Sequence, residues 1–228
     1  MLLPDFSSLP AKMQNDDVKR YYDILLKKKA DLFFKRLFDI IFAVVLIVIL
    51  SIPMIIVAVL IKSDSEGPVF FRQRRVTTGG KVFSIFKFRT MRVNDNSKNA
   101  QVTAGTDSRI TKIGHVLRKF RLDEMPQLFN VLTGDMTFVG TRPEVERYVE
   151  QYSPDMYATL LMPAGITSMT SIKFRNEEEL LANAEDVEKA YIEEILPQKM
   201  KYNLEYIEKF NFFYDFYVMV LTVVKVVS

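Results

Sequence analysis

The sequence contains no cysteine and only one histidine, His115. The absence of cysteine excludes a disulfide framework and a cysteine zinc site, and it permits a reducing compartment. A single histidine excludes multi-histidine metal sites and mechanisms that need two imidazoles. Lysine and arginine (31) nearly balance aspartate and glutamate (28), so the net charge of +3 does not indicate a nucleic-acid partner, and none is expected. The positions of the basic residues matter more than their number.

Hydrophobic residues make up 49% of the 228 residues, an ordinary globular value, but they are concentrated between Leu37 and Ile61. About 20 apolar residues suffice for a helix to cross the bilayer core, so the length permits a simple span. Basic residues flank both ends, however, and positive flanks prefer the cytoplasmic side. Pro53 bends a helix, and the Ser51 hydroxyl can satisfy a carbonyl freed there. These features favour a helix that enters the membrane, breaks and returns; a kinked full span is the alternative.

An amphipathic helix is predicted from Asp16 to Asp31. Its apolar face carries four residues and is followed by a basic run: Tyr21, Tyr22, Leu25 and Leu26, then Lys27–Lys29. Lysines near a membrane surface are attracted to anionic lipid by about 1 kcal/mol each. We therefore expect this helix to lie beside the membrane, with a solvated helix end as the alternative.

Two strand-like segments, Val69–Arg75 and Val82–Arg89, flank the turn signal Thr77-Thr78-Gly79-Gly80 and predict a β-hairpin. Alternation along the second strand places Lys87 and Arg89 on one face. This basic face is either simply solvated or a phosphate-binding platform beside the membrane, and the hairpin alone does not decide between the two.

Two helices are predicted in the middle of the chain. Ser108 is expected to cap a helix that runs through Phe120, and His115 lies next to its apolar stripe as a packed or surface residue. A second helix follows and ends at Gly134.

Two further helices are predicted near the C-terminal end. The segment Glu177–Glu194 has the pattern of a solvated amphipathic helix rather than a metal site. The segment Phe210–Val227 is aromatic and aliphatic but carries charges, which favours an interfacial helix; a buried core helix is the alternative.

The chemically most informative segment is Arg118–Gln127, in which the adjacent carboxylates of Asp123 and Glu124 precede Pro126. Proline is tolerated in the first turn of a helix but not in its interior, so a helix is predicted to begin near Asp123 or Glu124. A helix N-terminus favours phosphate and keeps a nearby carboxylate ionised. An ionised aspartate can coordinate Mg²⁺ or attack phosphorus. Taken alone, the segment is better explained by Asp123 as a simple N-cap.

Three motifs in sequence order change that balance: Lys87-Phe88-Arg89-Thr90-Met91, the segment Arg118–Gln127, and Gly134-Asp135-Met136-Thr137-Phe138-Val139-Gly140-Thr141-Arg142-Pro143-Glu144. Together they resemble the bacterial sugar transferase family, the monotopic polyprenyl-phosphate phosphoglycosyl transferases that begin O-antigen, capsule and exopolysaccharide assembly. The resemblance runs from about Lys35 to Ile172, with a weaker echo in the C-terminal helix. The ordered set is specific, although no single motif would be.

The resemblance implies a short form of this family at the cytoplasmic face of the bacterial inner membrane. The expected fold is mainly α with a small β-hairpin, a membrane-embedded re-entrant helix-break-helix and interfacial amphipathic helices. The expected parts are an N-terminal amphipathic juxtamembrane segment (1–34), a re-entrant membrane helix (35–62) and a cytoplasmic catalytic domain with a C-terminal interfacial helix (63–228). Membrane lipids are expected partners, and homodimer formation is left open.

The resemblance also implies a two-step reaction that depends on Mg²⁺. In it Asp123, which also binds the metal, attacks the sugar-bearing phosphate of a UDP-sugar, releases UMP and forms a phosphosugar-enzyme intermediate. Undecaprenyl phosphate then takes the phosphosugar. Glu124 completes the catalytic dyad. The residues Lys87, Arg118 and Arg142 match the family's basic positions around the diphosphate.

The sequence departs from the usual family pattern in places. Ile52 separates Ser51 from Pro53 where the family usually has Ser-Pro, and Thr141 stands in the Gly-x-Arg-Pro motif where the family usually has proline. Such changes bear on the donor sugar more than on the reaction. Two alternatives stay open: a non-catalytic membrane-anchored scaffold that recruits partners through its acidic helix, and a glycosyltransferase, which would release UDP instead of UMP.

Overall fold

A computed structural model describes residues 3–93, 109–177, 181 and 186–227. The helices, in chain order, are α1 Asp16–Leu26, α2 Lys29–Asp64, α3 Lys112–Lys119, α4 Gln127–Thr133, α5 Glu146–Val149, α6 Met169–Lys173, α7 Val187–Ala190, α8 Leu196–Lys209 and α9 Phe212–Val227. A π-helical turn, Tyr191–Ile195, joins α7 to α8, and the strands are β1 Phe70–Val76, β2 Val82–Phe88, β3 Met136–Val139 and β4 Ala164–Thr167. The predicted mainly helical fold with a β-hairpin is confirmed.

The long apolar segment forms α2, one helix of 36 residues with Pro53 inside it. The helix is long and apolar enough to cross a membrane, and many of its large apolar side chains are exposed. It is helical throughout, including the stretch where a break is expected. There the Ser51 hydroxyl donates to the Val48 carbonyl at 2.7 Å. The carbonyl that Pro53 leaves without a donor is that of Ile49, four residues earlier, so the predicted role of Ser51 is not confirmed. The re-entrant course stays a prediction.

Both halves of α2 pack against the rest of the protein. In the first half, the Arg36 guanidinium donates to the carbonyls of Val131 at 2.7 Å and Leu132 at 3.0 Å, in the last turn of α4. A cation at a helix C-terminus complements the helix dipole. In the second half, Ile61 is buried in a small apolar cluster with Phe88 of β2 and with α3. The two ends of the apolar helix therefore attach to neighbouring elements.

The apolar face of α1 is buried in protein. Val18 and Leu25 are fully buried and Tyr21 and Tyr22 nearly so, all within the main core. They pack against α8 and the 3₁₀ turn Met156–Leu161. The protein core thus removes this face from water. Lys27 and Lys29, which follow it, are exposed, and their position beside the membrane stays a prediction. The predicted single helix also divides, since α1 ends at Leu26 before α2 begins.

Each of the two sheets has two strands. β1 and β2 form the predicted antiparallel hairpin, in register from Phe70 opposite Phe88 to Val76 opposite Val82. β3 and β4, which the sequence analysis did not predict, are parallel, with Met136 opposite Ala164 and Val139 opposite Thr167. Beside this pair, a Cβ on Gly165 would lie 2.2 Å from the Gly140 nitrogen, so the backbones approach as closely as only glycine allows.

Lys87 and Arg89, at the end of the hairpin, have different roles. The Arg89 guanidinium donates to the carbonyls of Ser65 at 2.7 Å and Glu66 at 2.6 Å, just after α2. It therefore fixes the end of the apolar helix and does not contribute to a phosphate platform. Lys87 instead forms an ion pair with Glu124.

The middle helices differ in their caps from the prediction. α3 is capped by Thr111, whose hydroxyl accepts from the Gly114 N–H at 3.0 Å; the predicted cap, Ser108, lies outside the described residues. His115 is exposed on α3. α4 ends as predicted at Gly134, whose φ of 92° is left-handed.

The C-terminal helices bury one face and expose the other. In the described part of the acidic segment, Glu193 and Glu194 are exposed while Tyr191 is buried, as expected for an amphipathic helix. In α9, Asp215 is buried in an ion pair with Lys35 of α2. The opposite face of α9 exposes large apolar side chains: Phe213, Tyr217, Val220, Val223 and Val224. An exposed apolar stripe favours the interfacial helix over a wholly buried one.

Candidate active site

Asp123 and Glu124 lie in a 3₁₀ turn between α3 and α4. Arg121, just before it, has a left-handed backbone with φ 57°, which costs a non-glycine residue about 1–2 kcal/mol. α4 begins only at Gln127, so the prediction that the helix begins near Asp123 is one turn too early. Pro126 gives the physical reason, because it has no N–H to donate to the carbonyl four residues earlier. The left-handed residue and the proline confine the two carboxylates to a short, tight turn.

Glu124 is the anion of a buried charged cluster. Its Oε1 lies 3.0 Å from the Lys87 ammonium and 3.5 Å from the Arg142 guanidinium, and its side chain is 11% exposed. Burial raises the pKa of Glu124, but Lys87 and Arg142 outweigh burial and lower it to about 2. Arg142 has a raised pKa, chiefly because of Glu124. Two cations thus share one carboxylate oxygen, which leaves them able to attract a further anion.

Asp123 presents an unused carboxylate oxygen beside this cluster. The residue is buried, and its Oδ1 has no hydrogen-bond partner among the residues that the structure describes. Buried polar atoms are nearly always hydrogen-bonded, so an orphan oxygen among charged side chains marks a place for a ligand atom. Burial and then Glu124 raise the pKa of Asp123, whereas Lys87 and Arg121 lower it. A cation or an electrophilic phosphorus is the kind of ligand that suits this oxygen.

The oxygen of Asp123 fits a magnesium ion. Mg²⁺ prefers oxygen ligands and is usually held by one or two carboxylates together with substrate phosphates, rather than by a full set of protein ligands. Within the residues that the structure describes, no group of three or more acidic or histidine side chains gathers as a metal site. A Mg²⁺ site in which substrate phosphates supply the other oxygen ligands does not need such a group.

The structure brings together four of the five residues predicted for the site. Lys87 from β2 and Arg142 from the loop after β3 meet at Glu124, next to Asp123. Arg118 lies half-buried in the last turn of α3. In the described part of the chain its guanidinium is not among the groups that contact Glu124. Its place beside a diphosphate stays a prediction.

A second buried cluster, missed by the sequence analysis, lies behind Arg142. Glu144 accepts hydrogen bonds from Tyr191 and Lys199, and Arg75 donates to the carbonyl between Arg142 and Glu144. Glu144 could have been found from the sequence, because it is the last residue of one of the motifs that carry the family resemblance. Tyr191 and Lys199 belong to amphipathic helical segments, where no sequence pattern distinguishes them from their neighbours.

A sequence model of the family described as bacterial sugar transferase matches residues 30–228. The chain belongs to the bacterial sugar transferase family. It is 37% identical over 181 residues to a UDP-glucose:undecaprenyl-phosphate glucose-1-phosphate transferase of Xanthomonas campestris pv. campestris, covering 75% of this chain and 34% of that protein. A protein of the same name from Escherichia coli (strain K12) is 36% identical over 173 residues, covering 74% of this chain and 35% of that protein.

A UDP-N-acetylgalactosamine-undecaprenyl-phosphate N-acetylgalactosaminephosphotransferase of Aeromonas hydrophila is 44% identical over 119 residues, 50% of this chain and 28% of that protein. The chain therefore spans about a third of the length of these sugar transferases. They are named for two different sugars, so family membership does not identify a donor sugar for this chain.

Proposed function

We propose that this bacterial sugar transferase moves a sugar 1-phosphate from a UDP-sugar to undecaprenyl phosphate and releases UMP. The transfer would begin the synthesis of a bacterial surface glycan at the cytoplasmic face of the inner membrane. The observation that carries the proposal is the unpartnered Asp123 Oδ1 next to the cluster of Glu124, Lys87 and Arg142. It supports the proposal because a nucleophile at this position would lie beside cations that suit a diphosphate. The three similar proteins are named for transfers of this kind.

Asp123 is the nucleophile in this proposal. An oxygen of its carboxylate forms a bond to the phosphorus that bears the sugar, and the bond from that phosphorus to the bridging oxygen breaks. UMP leaves with the bonding electron pair, and the sugar phosphate stays on Asp123. An oxygen of undecaprenyl phosphate then attacks the same phosphorus and displaces the carboxylate. Glu124 suits this role less, because Lys87 and Arg142 already occupy its Oε1.

The basic residues hold the two anionic substrates. Arg142 offers a planar fork of donors that matches phosphate oxygens, and Lys87 offers a compact positive charge. Glu124 keeps both cations in place before a substrate arrives, and Arg118 at the end of α3 is a further candidate for the diphosphate. Mg²⁺ bound by Asp123 would offset the negative charge of the diphosphate and of the departing UMP.

The contacts of α2 support a re-entrant course. From Arg36 to Ile61 a straight helix would extend about 37 Å, at about 1.5 Å per residue. Arg36 contacts Val131, and Ile61 packs with Phe88. Those two contact points are near each other, since the neighbouring Phe86 N–H donates to the Asn130 side chain at 2.9 Å. A helix bent near Pro53 meets both points, with both ends on the cytoplasmic side and its exposed apolar side chains in lipid.

The reaction is tested by measuring UMP release from a panel of UDP-sugars, with detergent-solubilised protein, Mg²⁺ and undecaprenyl phosphate. Asp123→Asn is expected to abolish release. Asp123 Oδ1 is buried and has no hydrogen-bond partner among the described residues, and burial raises the pKa of Asp123. The substitution therefore removes a poorly solvated charge and should not lower the melting temperature. The matched control is Asp135→Asn, because the Asp135 carboxylate pairs with Lys81 at 3.0 Å. The control variant should keep its activity.

Incubation with the donor sugar and no lipid acceptor is expected to trap a phosphosugar on Asp123, which peptide mass spectrometry locates. An adduct on Glu124 would reverse the assignment of the two carboxylates. Release of UDP instead of UMP would indicate a glycosyltransferase. No nucleotide release from any UDP-sugar would favour the non-catalytic scaffold.

The topology is tested with single cysteines, since the chain has none of its own. Lys27 and Ser63 are exposed just before α2 and at its end. In intact cells, both Lys27→Cys and Ser63→Cys are expected to resist a membrane-impermeant thiol reagent, and both should react after lysis. Reaction of only one of them in intact cells would mean that α2 spans the membrane.

A further inference from the structure

The cluster behind Arg142 is buried and fully hydrogen-bonded. The Tyr191 hydroxyl donates to Glu144 Oε1 at 2.7 Å, and the Lys199 ammonium donates both to the same oxygen at 3.0 Å and to the Tyr191 hydroxyl at 2.7 Å. Glu144 is 5% exposed, and Tyr191 and Lys199 are each 3% exposed. The proposed transfer reaction uses none of these three side chains.

The cluster is joined to the site through the backbone, because a single residue, Pro143, separates Arg142 from Glu144. Arg75 of β1 donates to the Pro143 carbonyl at 3.0 Å, and the Val76 N–H of the same strand donates to the Glu144 carbonyl at 3.0 Å. The backbone and the Glu144 side chain are therefore both fixed just after Arg142. From this fixed point the Arg142 side chain reaches Glu124 on the other side of the site.

A gain in stability is a weak explanation for such a cluster. Desolvation of a buried ion pair offsets most of its attraction, so a well-packed apolar group often serves stability equally well. The cluster can instead fix the direction of the neighbouring Arg142 guanidinium. Apolar packing does not do this, because the forked donors of arginine must point in a set direction. The charge of Glu144 also adds to that of Glu124 in raising the pKa of Arg142.

We infer that Tyr191 and Lys199 are positioning residues, which act through Glu144 to orient Arg142 toward the diphosphate of the donor. The inference rests on the proposed function. It assigns a role in the transfer to α8 and to the π-helical turn before it, which lie outside the motifs that carry the family resemblance.

Tyr191→Phe is the gentlest test, since it removes one hydroxyl and no charge. We expect kcat/KM for the UDP-sugar, measured by UMP release, to fall about tenfold, mainly through KM. The matched control is Tyr157→Phe, a buried tyrosine whose hydroxyl donates to the Val149 carbonyl at 3.2 Å and not to Glu144 or Lys199. The control is expected to keep kcat/KM within about twofold of the unsubstituted protein.

A double-substitution cycle separates positioning from a general structural effect. With Arg142→Ala in place, assayed at high enzyme concentration, Tyr191→Phe should change kcat/KM by less than about twofold, because the group it positions is gone. Lys199→Arg, which keeps a donor to Glu144, should retain more activity than Lys199→Met. Circular dichroism confirms that each variant is folded before the assay.

An equal loss from Tyr191→Phe with and without Arg142 would overturn the inference while leaving the proposed function standing. So would a Tyr191→Phe protein with unchanged kcat/KM. If the unsubstituted protein releases no UMP from any UDP-sugar, the proposed function fails and the inference fails with it.

Discussion

Lys87→Met tests whether Glu124 is held as a buried anion. Breaking a buried ion pair by removing one partner costs about 3–5 kcal/mol, because the other charge stays buried without compensation. Here Arg142 remains 3.5 Å from Glu124, and the Lys87 side chain is 19% exposed. We therefore expect a smaller loss, about 2–3 kcal/mol. At about 2–4 °C per kcal/mol for a protein of this size, the melting temperature should fall by about 4–12 °C.

The decisive comparison adds Glu124→Gln. In the double variant no buried carboxylate is left without the Lys87 ammonium. The double variant should therefore lose about half as much stability as Lys87→Met and Glu124→Gln lose together when made singly. Thermal unfolding in detergent is followed by circular dichroism. Lys81→Met serves as the reference, since its ammonium also lies 3.0 Å from a carboxylate but is 68% exposed, and such pairs contribute about 0–1 kcal/mol. Additive losses in the double variant would refute the account of Glu124 as an anion held by Lys87.

Three further outcomes are expected. Gly165→Ala should lower the melting temperature more than Gly79→Ala. A Cβ at position 165 would lie 2.2 Å from the Gly140 nitrogen, whereas at Gly79 no described atom lies within 4 Å and only the left-handed φ of 65° opposes alanine, at about 1–2 kcal/mol; equal losses would contradict the close approach. Burial raises the pKa of Glu144, but Lys199 and Arg75 outweigh burial and lower it below the ordinary 4.5. The unsubstituted protein should therefore be more stable than Glu144→Gln by an amount that shrinks as the pH falls below about 4.5. A stability difference that grows at lower pH would contradict this prediction. Arg142→Ala should reduce kcat/KM for the UDP-sugar by about 10- to 100-fold, and normal kinetics would remove Arg142 from the diphosphate.

Local patterns predicted the elements whose signals are local. The hairpin follows from alternation and a glycine turn, and the end of α4 follows from Gly134, because these features act over a few residues. The apolar helix was predicted over Leu37–Ile61, but α2 is longer at both ends. Its charged ends are stabilised by contacts with distant residues such as Asp215, which no local pattern reveals.

The protein partner of α1 could not be predicted from the sequence for a different reason. An amphipathic face indicates that a helix has an apolar partner, but it does not say whether that partner is lipid or protein. The three lysines that follow α1 favour a position beside the membrane, which stays a prediction. The partner of the apolar face is protein, since Val18 and Leu25 are buried in the main core against α8, more than 170 residues later in the sequence. Such a partner is specified only by the whole fold.

The two adjacent carboxylates illustrate what a fold adds to a motif. In sequence, Asp123 and Glu124 are equivalent anions next to a proline, and spacing alone does not distinguish nucleophile from supporting residue. In the described part of the structure the two carboxylates differ in their contacts, because two cations contact Glu124 Oε1 while Asp123 Oδ1 has no hydrogen-bond partner. A nucleophile needs a free oxygen, and a residue that positions cations needs bound ones. The tertiary contacts of Lys87 and Arg142 thereby support the separate roles that we propose for the two carboxylates.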